Sequence, residues 1–214
     1  MRTRNMTWTL GGSALILAGV IMILQYVVTA PSARPALYLI GELVWAVGVT
    51  AFAIGRRRYD SVVSRKPLGV SALLVLGWWP PINRVLLDAI ALSEPIMRPD
   101  QISDAHVALG YLGLFVPLAA GLVASVQIAR ARIVPSPWRW APLWVLVFGI
   151  AGGVLTQALY ATLPHTAPQP LTDIAALLGA MTALARTMGL GVLALVLSER
   201  ARPSSVQIFR SGQP

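Results

Sequence analysis

The chain has 214 residues, of which 56% are hydrophobic and 12% are charged, and its formal net charge is +9. A soluble domain carries roughly twice that share of charged residues, so a soluble class is excluded. The absence of cysteine excludes disulfides, thiolate metal sites and thiol redox chemistry. The basic residues lie at the ends of apolar runs and form no face interleaved with aromatics, so no nucleic-acid partner is expected.

Six apolar runs follow one another and predict six transmembrane helices, because about 20 apolar residues cross a bilayer as a helix. The runs cover residues 8–28, 36–54, 68–92, 105–129, 141–161 and 171–197. We therefore predict an all-α membrane protein. Its domains are a six-helix transmembrane domain over residues 1–197 and a short basic cytoplasmic tail over 198–214.

The basic residues between the runs predict the topology. Thirteen lysines and arginines fall at the N-terminus, in the second-to-third and fourth-to-fifth loops and in the tail, whereas Arg34 and Arg98 lie on the opposite side. By the positive-inside rule both termini are cytoplasmic. All basic residues but Lys66 are arginine, which with frequent alanine is typical of a GC-rich bacterial genome. The expected location is therefore the bacterial cytoplasmic membrane.

A cleavable signal peptide is the alternative interpretation of the first run. Residues 28–30 are Val-Thr-Ala, which suits a cleavage site, and the chain begins with basic residues. An apolar core of about 20 residues is long for a signal peptide, and cleavage would leave five spans without changing their orientation.

Two local patterns concern helix geometry. Pro80 and Pro81 remove two backbone donors from the third run, and we expect the third helix to be broken there, beside a cavity or ligand site. Gly149 and Gly153 form a GxxxG pattern on the fifth run, which favours close helix packing. That packing is either within the bundle or between two copies of the chain.

Charged residues at membrane depth mark the candidate ligand-binding residues, because such charges are costly unless they are paired or functional. They are Glu42, Arg84, Asp88, Asp173 and Arg186. Glu42 and Arg84 fall at similar depths below the outer boundary, roughly 9 Å for Glu42 and 6 to 12 Å for Arg84 at 1.5 Å per residue. We expect them to form an ion pair, with Asp88 sharing Arg84 from one helical turn away.

This outer cluster has two interpretations. It is either a site for a cation, a proton or a polar ligand, or a structural ion-pair network between helices two and three. Asp104, His106 and His165 belong to the same rim, but their spacing matches no metal site, so no metal is assigned. No cofactor is assigned either.

Arg186 lies deeper, in the sixth run, where we expect no acidic residue at its depth. Its side chain would then extend towards the membrane surface or bond a carbonyl near Pro80 or the amide of Gln127. A lipid phosphate or an acid of a partner subunit would also neutralise it.

Familiar membrane enzymes are excluded by missing residues. The sixth run has no His for an intramembrane serine protease. Haem ligands must lie inside the bundle, whereas both histidines lie at its outer edge. No phosphate-binding loop and no buried lysine occurs. The expected function is therefore non-catalytic: binding or moving a small amphiphile, lipid or ion through the outer cluster, with membrane lipids as partners. Alternatives are an accessory subunit that meets a membrane partner or a second copy of itself, and an enzyme using the outer carboxylates.

Overall fold

The computed structural model describes residues 2–28, 32–56, 60–93, 103–136, 138–162 and 169–200, and within these ranges it contains helices and loops but no strand. The first five long helices are α1 Arg2–Val27, α2 Ala33–Ile54, α3 Pro67–Ser93, α4 Asp104–Ala131 and α5 Ala141–Thr162. The last rod consists of α6 Gln169–Leu184, a π turn Ala185–Gly189 and α7 Leu190–Arg200. Six helices of the described part are long and apolar enough to cross a membrane, which confirms the predicted all-α, six-span architecture.

The five helices α1 to α5 and the composite last helix are six rods, and they are arranged as a ring. Each rod packs on the next one in the chain, and α7 with the π turn returns to α1 and closes the circle. The contacts of α1 with α2 and of α3 with α4 are extensive, whereas those of α5 with its two neighbours are sparse. No residue in the span of α5 that the structure describes is buried by the rest of the chain. One side of the ring is therefore tightly packed, and α5 is its loosest member.

Glycine allows the close approach of α1 to its two neighbours. A Cβ added to Gly12 would lie 3.0 Å from the carbonyl oxygen of Gly191 in α7, so neither position accepts a side chain without movement. Towards α2, a Cβ at Gly48 would lie 3.3 Å from the carbonyl oxygen of Gly11. In a bilayer the hydrophobic effect does not favour helix–helix contacts over helix–lipid contacts, so small residues that allow close packing stabilise the helix pairs.

The loop after α2 folds back over the end of that helix. Gly55 has a φ of +55°, and a Cβ there would lie 2.5 Å from the backbone nitrogen of Ser61, so this turn requires glycine. Arg65 donates hydrogen bonds to the carbonyl oxygens of Ile54 and Gly55, both at 2.7 Å, and of Arg56 at 3.2 Å. A helix leaves its last carbonyls without partners, so this guanidinium caps α2 and complements its dipole.

The break predicted at Pro80 and Pro81 does not interrupt α3, which continues as one helix from Pro67 to Ser93. The two prolines deprive the carbonyl groups of Leu76 and Gly77 of their usual donors four residues later. Because the φ of proline is close to the helical value, the backbone can continue through the pair. The predicted broken helix is therefore replaced by a continuous one.

The backbone irregularity of the ring lies instead in the last rod, at the π turn Ala185–Gly189. A π turn inserts an extra residue into the helical repeat and shifts the direction of the side chains that follow. Thr187 is fully buried within it and donates its hydroxyl to the carbonyl oxygen of Ala183 at 2.8 Å. Arg186 belongs to this turn, so the charge lies where the rod departs from α-helical geometry.

Candidate functional site

The six rods all contribute to the wall of a partly open cavity of about 1090 Å³. Its wall is mainly apolar, with aromatic side chains such as Trp8, Phe52 and Phe115. Small-molecule sites typically occupy about 300 to 1000 Å³ and combine apolar walls with a few polar groups. Six polar or charged residues on this wall are of chemical interest: Tyr38, Glu42, Asn83, Arg84, Gln157 and Arg186.

One stripe of α2 carries the acidic side of the site. Tyr38, Glu42 and Trp45 are spaced four and three residues apart, which places them on one helix face. Glu42 and Trp45 are each only 3% exposed. The Tyr38 hydroxyl interacts with the Glu42 carboxyl one turn further along, while the Oε2 atom of Glu42 is buried without a hydrogen-bond partner.

Arg84 of α3 lies beside the start of this stripe. Its Nε donates to Asp88 Oδ2 at 3.2 Å, and its Cζ lies 5.8 Å from the centroid of the Tyr38 ring. The predicted contact between Arg84 and Asp88 is therefore present. The predicted ion pair with Glu42 is not, since no nitrogen of Arg84 lies within 4.0 Å of a Glu42 oxygen in the described structure. The arginine points along its own helix towards Asp88, and Glu42 lies one turn beyond Tyr38.

Arg186 carries the positive charge on the opposite side of Glu42. Its Cζ lies 4.8 Å from the centroid of the Trp45 ring, a cation–π contact. Its Nε is buried without a hydrogen-bond partner among the described residues. Trp45 therefore contacts the guanidinium while its Nε has no hydrogen-bond partner among the described residues.

The sequence predicts no acid at the depth of Arg186, yet the structure places Glu42 on the same cavity wall. The guanidinium of Arg186 packs on Trp45, which lies three residues beyond Glu42 on α2. Glu42 is therefore the acid to consider as its electrostatic partner.

Glu42 and Arg186 remain apart although they share the cavity. Among the described residues no nitrogen of Arg186 lies within 4.0 Å of a Glu42 oxygen. Asn83 lines the same cavity, and its Oδ1 is also buried without a hydrogen-bond partner in this part of the chain. The wall thus presents opposite charges and an amide with unused hydrogen-bonding capacity.

The other predicted residues occupy different positions. Asp88 is 61% exposed at the Arg84 end of the site, and Pro80 lines the cavity while Pro81 is buried. The side chain of Asp173 lies outside the described residues. The rim residues Asp104 and His106 are exposed at the start of α4.

Of the predicted rim residues, only Asp104 and His106 have described side chains. His165 lies outside the residues that the structure describes. In the remaining part, no group of three His, Cys, Asp or Glu side chains is placed to hold a metal ion.

The glycine pair of α5 divides between packing and cavity. Gly149 is in contact range of Thr182 in α6, with its added Cβ 3.9 Å from the methyl group. The tightest contact is at Gly152, where a Cβ would collide with the Thr182 hydroxyl, whereas a Cβ at Gly153 meets nothing within 4 Å. Both Gly149 and Gly153 line the cavity, so the GxxxG pattern also keeps space open.

Sequence reasoning did not identify Tyr38 and Trp45 as members of the site. Their spacing from Glu42 on one helix face is the signal that would have found them. The π turn around Arg186 has no such signal, because no proline or other distinctive residue marks it in the sequence.

Comparison of the chain with protein-family models, with curated proteins and with solved structures finds no match in any of the three.

Proposed function

We propose that this protein is a multi-pass protein of the bacterial cytoplasmic membrane, with both termini in the cytoplasm, that binds a small amphiphile in the central cavity. The observation that carries the proposal is an apolar chamber of about 1090 Å³ with Glu42 and Arg186 on its wall. An apolar tail would occupy the chamber, and the polar end would lie at the charged stripe. Movement of the amphiphile across the membrane is the extension of the same proposal.

A binding measurement tests the cavity. The purified protein is reconstituted in lipid nanodiscs and titrated with a fluorescent fatty-acid analogue. We expect saturable binding that weakens at least tenfold in Arg186→Gln, because a charged hydrogen bond to the carboxylate of the probe contributes about 1.5 to 3 kcal/mol. Arg130→Gln is the matched control, since Arg130 is an exposed arginine outside the cavity wall. Absence of saturable binding to the folded wild type would overturn the proposal.

The orientation has its own test, and the absence of cysteine makes it simple. Lys66→Cys and Asp104→Cys place single thiols at exposed positions near opposite ends of the ring. With a membrane-impermeant maleimide on intact spheroplasts, we expect labelling at position 104, and labelling at position 66 only after permeabilisation. The reverse pattern would contradict the proposed topology.

A subunit of a membrane complex is the second candidate function, favoured by the sparse packing of α5. Lipid or another protein must cover this helix. Solubilisation in a mild detergent followed by size measurement discriminates the two. A stoichiometric partner protein supports the subunit function, whereas a single chain with its lipid supports the amphiphile site alone.

A further inference from the structure

The charges on the cavity wall specify a head group, an inference that rests on the proposed amphiphile site. Opposite charges attract strongly where the dielectric constant is low. Glu42 and Arg186 interact electrostatically and line one cavity, yet no salt bridge within 4.0 Å joins them in the described structure. Trp45 holds the guanidinium from one side, and Tyr38 interacts with the carboxyl from the other. Each charged group thus has an aromatic neighbour and no salt bridge to the other.

The unused atoms show what a bridging group must offer. The Nε of Arg186 is a donor, whereas Oε2 of Glu42 and Oδ1 of Asn83 are acceptors, and all three are buried without hydrogen-bond partners among the described residues. A buried polar atom without a partner is unfavourable, because it has lost its hydrogen bonds to water. A bridging group thus needs an acceptor for the arginine and a donor for the glutamate and the amide.

A head group of a single charge fits this wall poorly. An anion held by Arg186 would be repelled by Glu42, and a cation held by Glu42 would be repelled by Arg186. A head group with both charges satisfies both residues and adds no net charge at membrane depth, where net charge is costly.

The geometry points to a zwitterionic head group, with an anionic group at Arg186 and a primary ammonium group at Glu42 and Asn83, on an amphiphile whose apolar tail fills the cavity. Two sources supply this chemistry. One is a bilayer phospholipid with a phosphate and an ammonium group, and the other is an amphiphile with a carboxylate and an ammonium group on one carbon.

Matched tails isolate the head group in the test. Wild-type protein in nanodiscs binds a fluorescent fatty-acid analogue, which is displaced with tetradecanoic acid, tetradecylamine or 2-aminotetradecanoic acid at neutral pH. A myristoyl lysophosphatidylethanolamine forms the fourth arm. We expect at least one zwitterion to bind tenfold or more tightly than both singly charged probes, since one charged hydrogen bond is gained.

The outcomes separate this inference from the proposed function. Preference for the lysophospholipid or for the amino acid supports the inference and identifies the source. Equal affinity of tetradecanoic acid and both zwitterions overturns the inference but leaves the amphiphile site in place. Failure of every probe to bind the folded protein overturns both.

Two substitutions add a pattern that a merely structural role would not produce. Glu42→Gln should weaken binding of the zwitterion about tenfold or more and strengthen binding of tetradecanoic acid. Arg186→Gln should weaken the zwitterion and strengthen tetradecylamine. Arg130→Gln should change none of the three affinities, because this arginine lies outside the cavity wall. Equal losses for all probes in both variants would contradict the head-group assignment, and the wild-type panel decides if either variant fails to fold.

Discussion

Filling the cavity from α5 should block the amphiphile without harming the fold. A Cβ at Gly153 meets nothing within 4 Å, and Gly153 lines the chamber. The four carbon atoms of leucine in Gly153→Leu would displace about four methylenes of a tail, at about 0.8 kcal/mol each. We therefore expect a loss of about 3 kcal/mol in binding, or roughly a hundredfold weaker affinity.

The assay is displacement of the fluorescent fatty-acid analogue in nanodiscs, run beside thermal unfolding of the same samples. Thermal stability should be unchanged or slightly raised, because leucine exceeds glycine in helix propensity by up to about 1 kcal/mol. Ala151→Leu is the control, on the same helix but exposed and outside the cavity wall. Unchanged affinity in a folded Gly153→Leu protein would refute the placement of the tail in this chamber.

Three further changes test the surrounding structure. Gly152→Leu should lower the free energy of unfolding by about 1 to 3 kcal/mol, as overpacking typically does, because the new side chain collides with Thr182. An unshifted melting curve would contradict the α5–α6 contact. Trp45→Leu should destabilise the protein by about 1 to 2 kcal/mol through loss of the cation–π contact with Arg186, while Trp45→Phe retains part of it in the same melting assay. Arg65→Met removes three hydrogen bonds from the end of α2 and should cost about 1 to 2 kcal/mol, with Arg65→Lys intermediate; equal melting temperatures would show that this cap is not needed.

The helices could be predicted from the sequence because lipid leaves few alternatives to a helix for a long apolar run. The run 36–54 becomes α2, Ala33–Ile54, and the run 105–129 becomes α4, Asp104–Ala131. Ser103 adds a local start signal, since its side chain accepts a hydrogen bond from the His106 backbone nitrogen at 3.3 Å. These features depend on residues close together in the chain.

The irregular backbone could not be predicted in the same way. Two consecutive prolines predict a break, but α3 continues as one helix through Pro80 and Pro81. The π turn at Arg186 arises in a segment without proline, where packing of Thr187 against Gly19 of α1 is so close that a Cβ on this glycine would lie 2.7 Å from the hydroxyl. Such contacts join distant parts of the chain and leave no local pattern.

The site was predictable in its charges but not in its pairing. The free-energy cost of a charged side chain at membrane depth singles out Glu42, Arg84 and Arg186 from the sequence. Their partners depend on which rods are adjacent in the ring, because Arg186 reaches Trp45 only when the last rod closes against α1 beside α2. Helix order around the ring is tertiary information, so the aromatic neighbours of the arginines emerge only in the structure.

An experimental density map of the protein in a lipid nanodisc, at a resolution that shows side chains, tests the central cavity most directly. We predict an elongated density with its compact end between Glu42 and Arg186 and its tail beside Gly153. A chamber closed by inward movement of α5, with the two charges in direct contact and no bound molecule, would contradict the account.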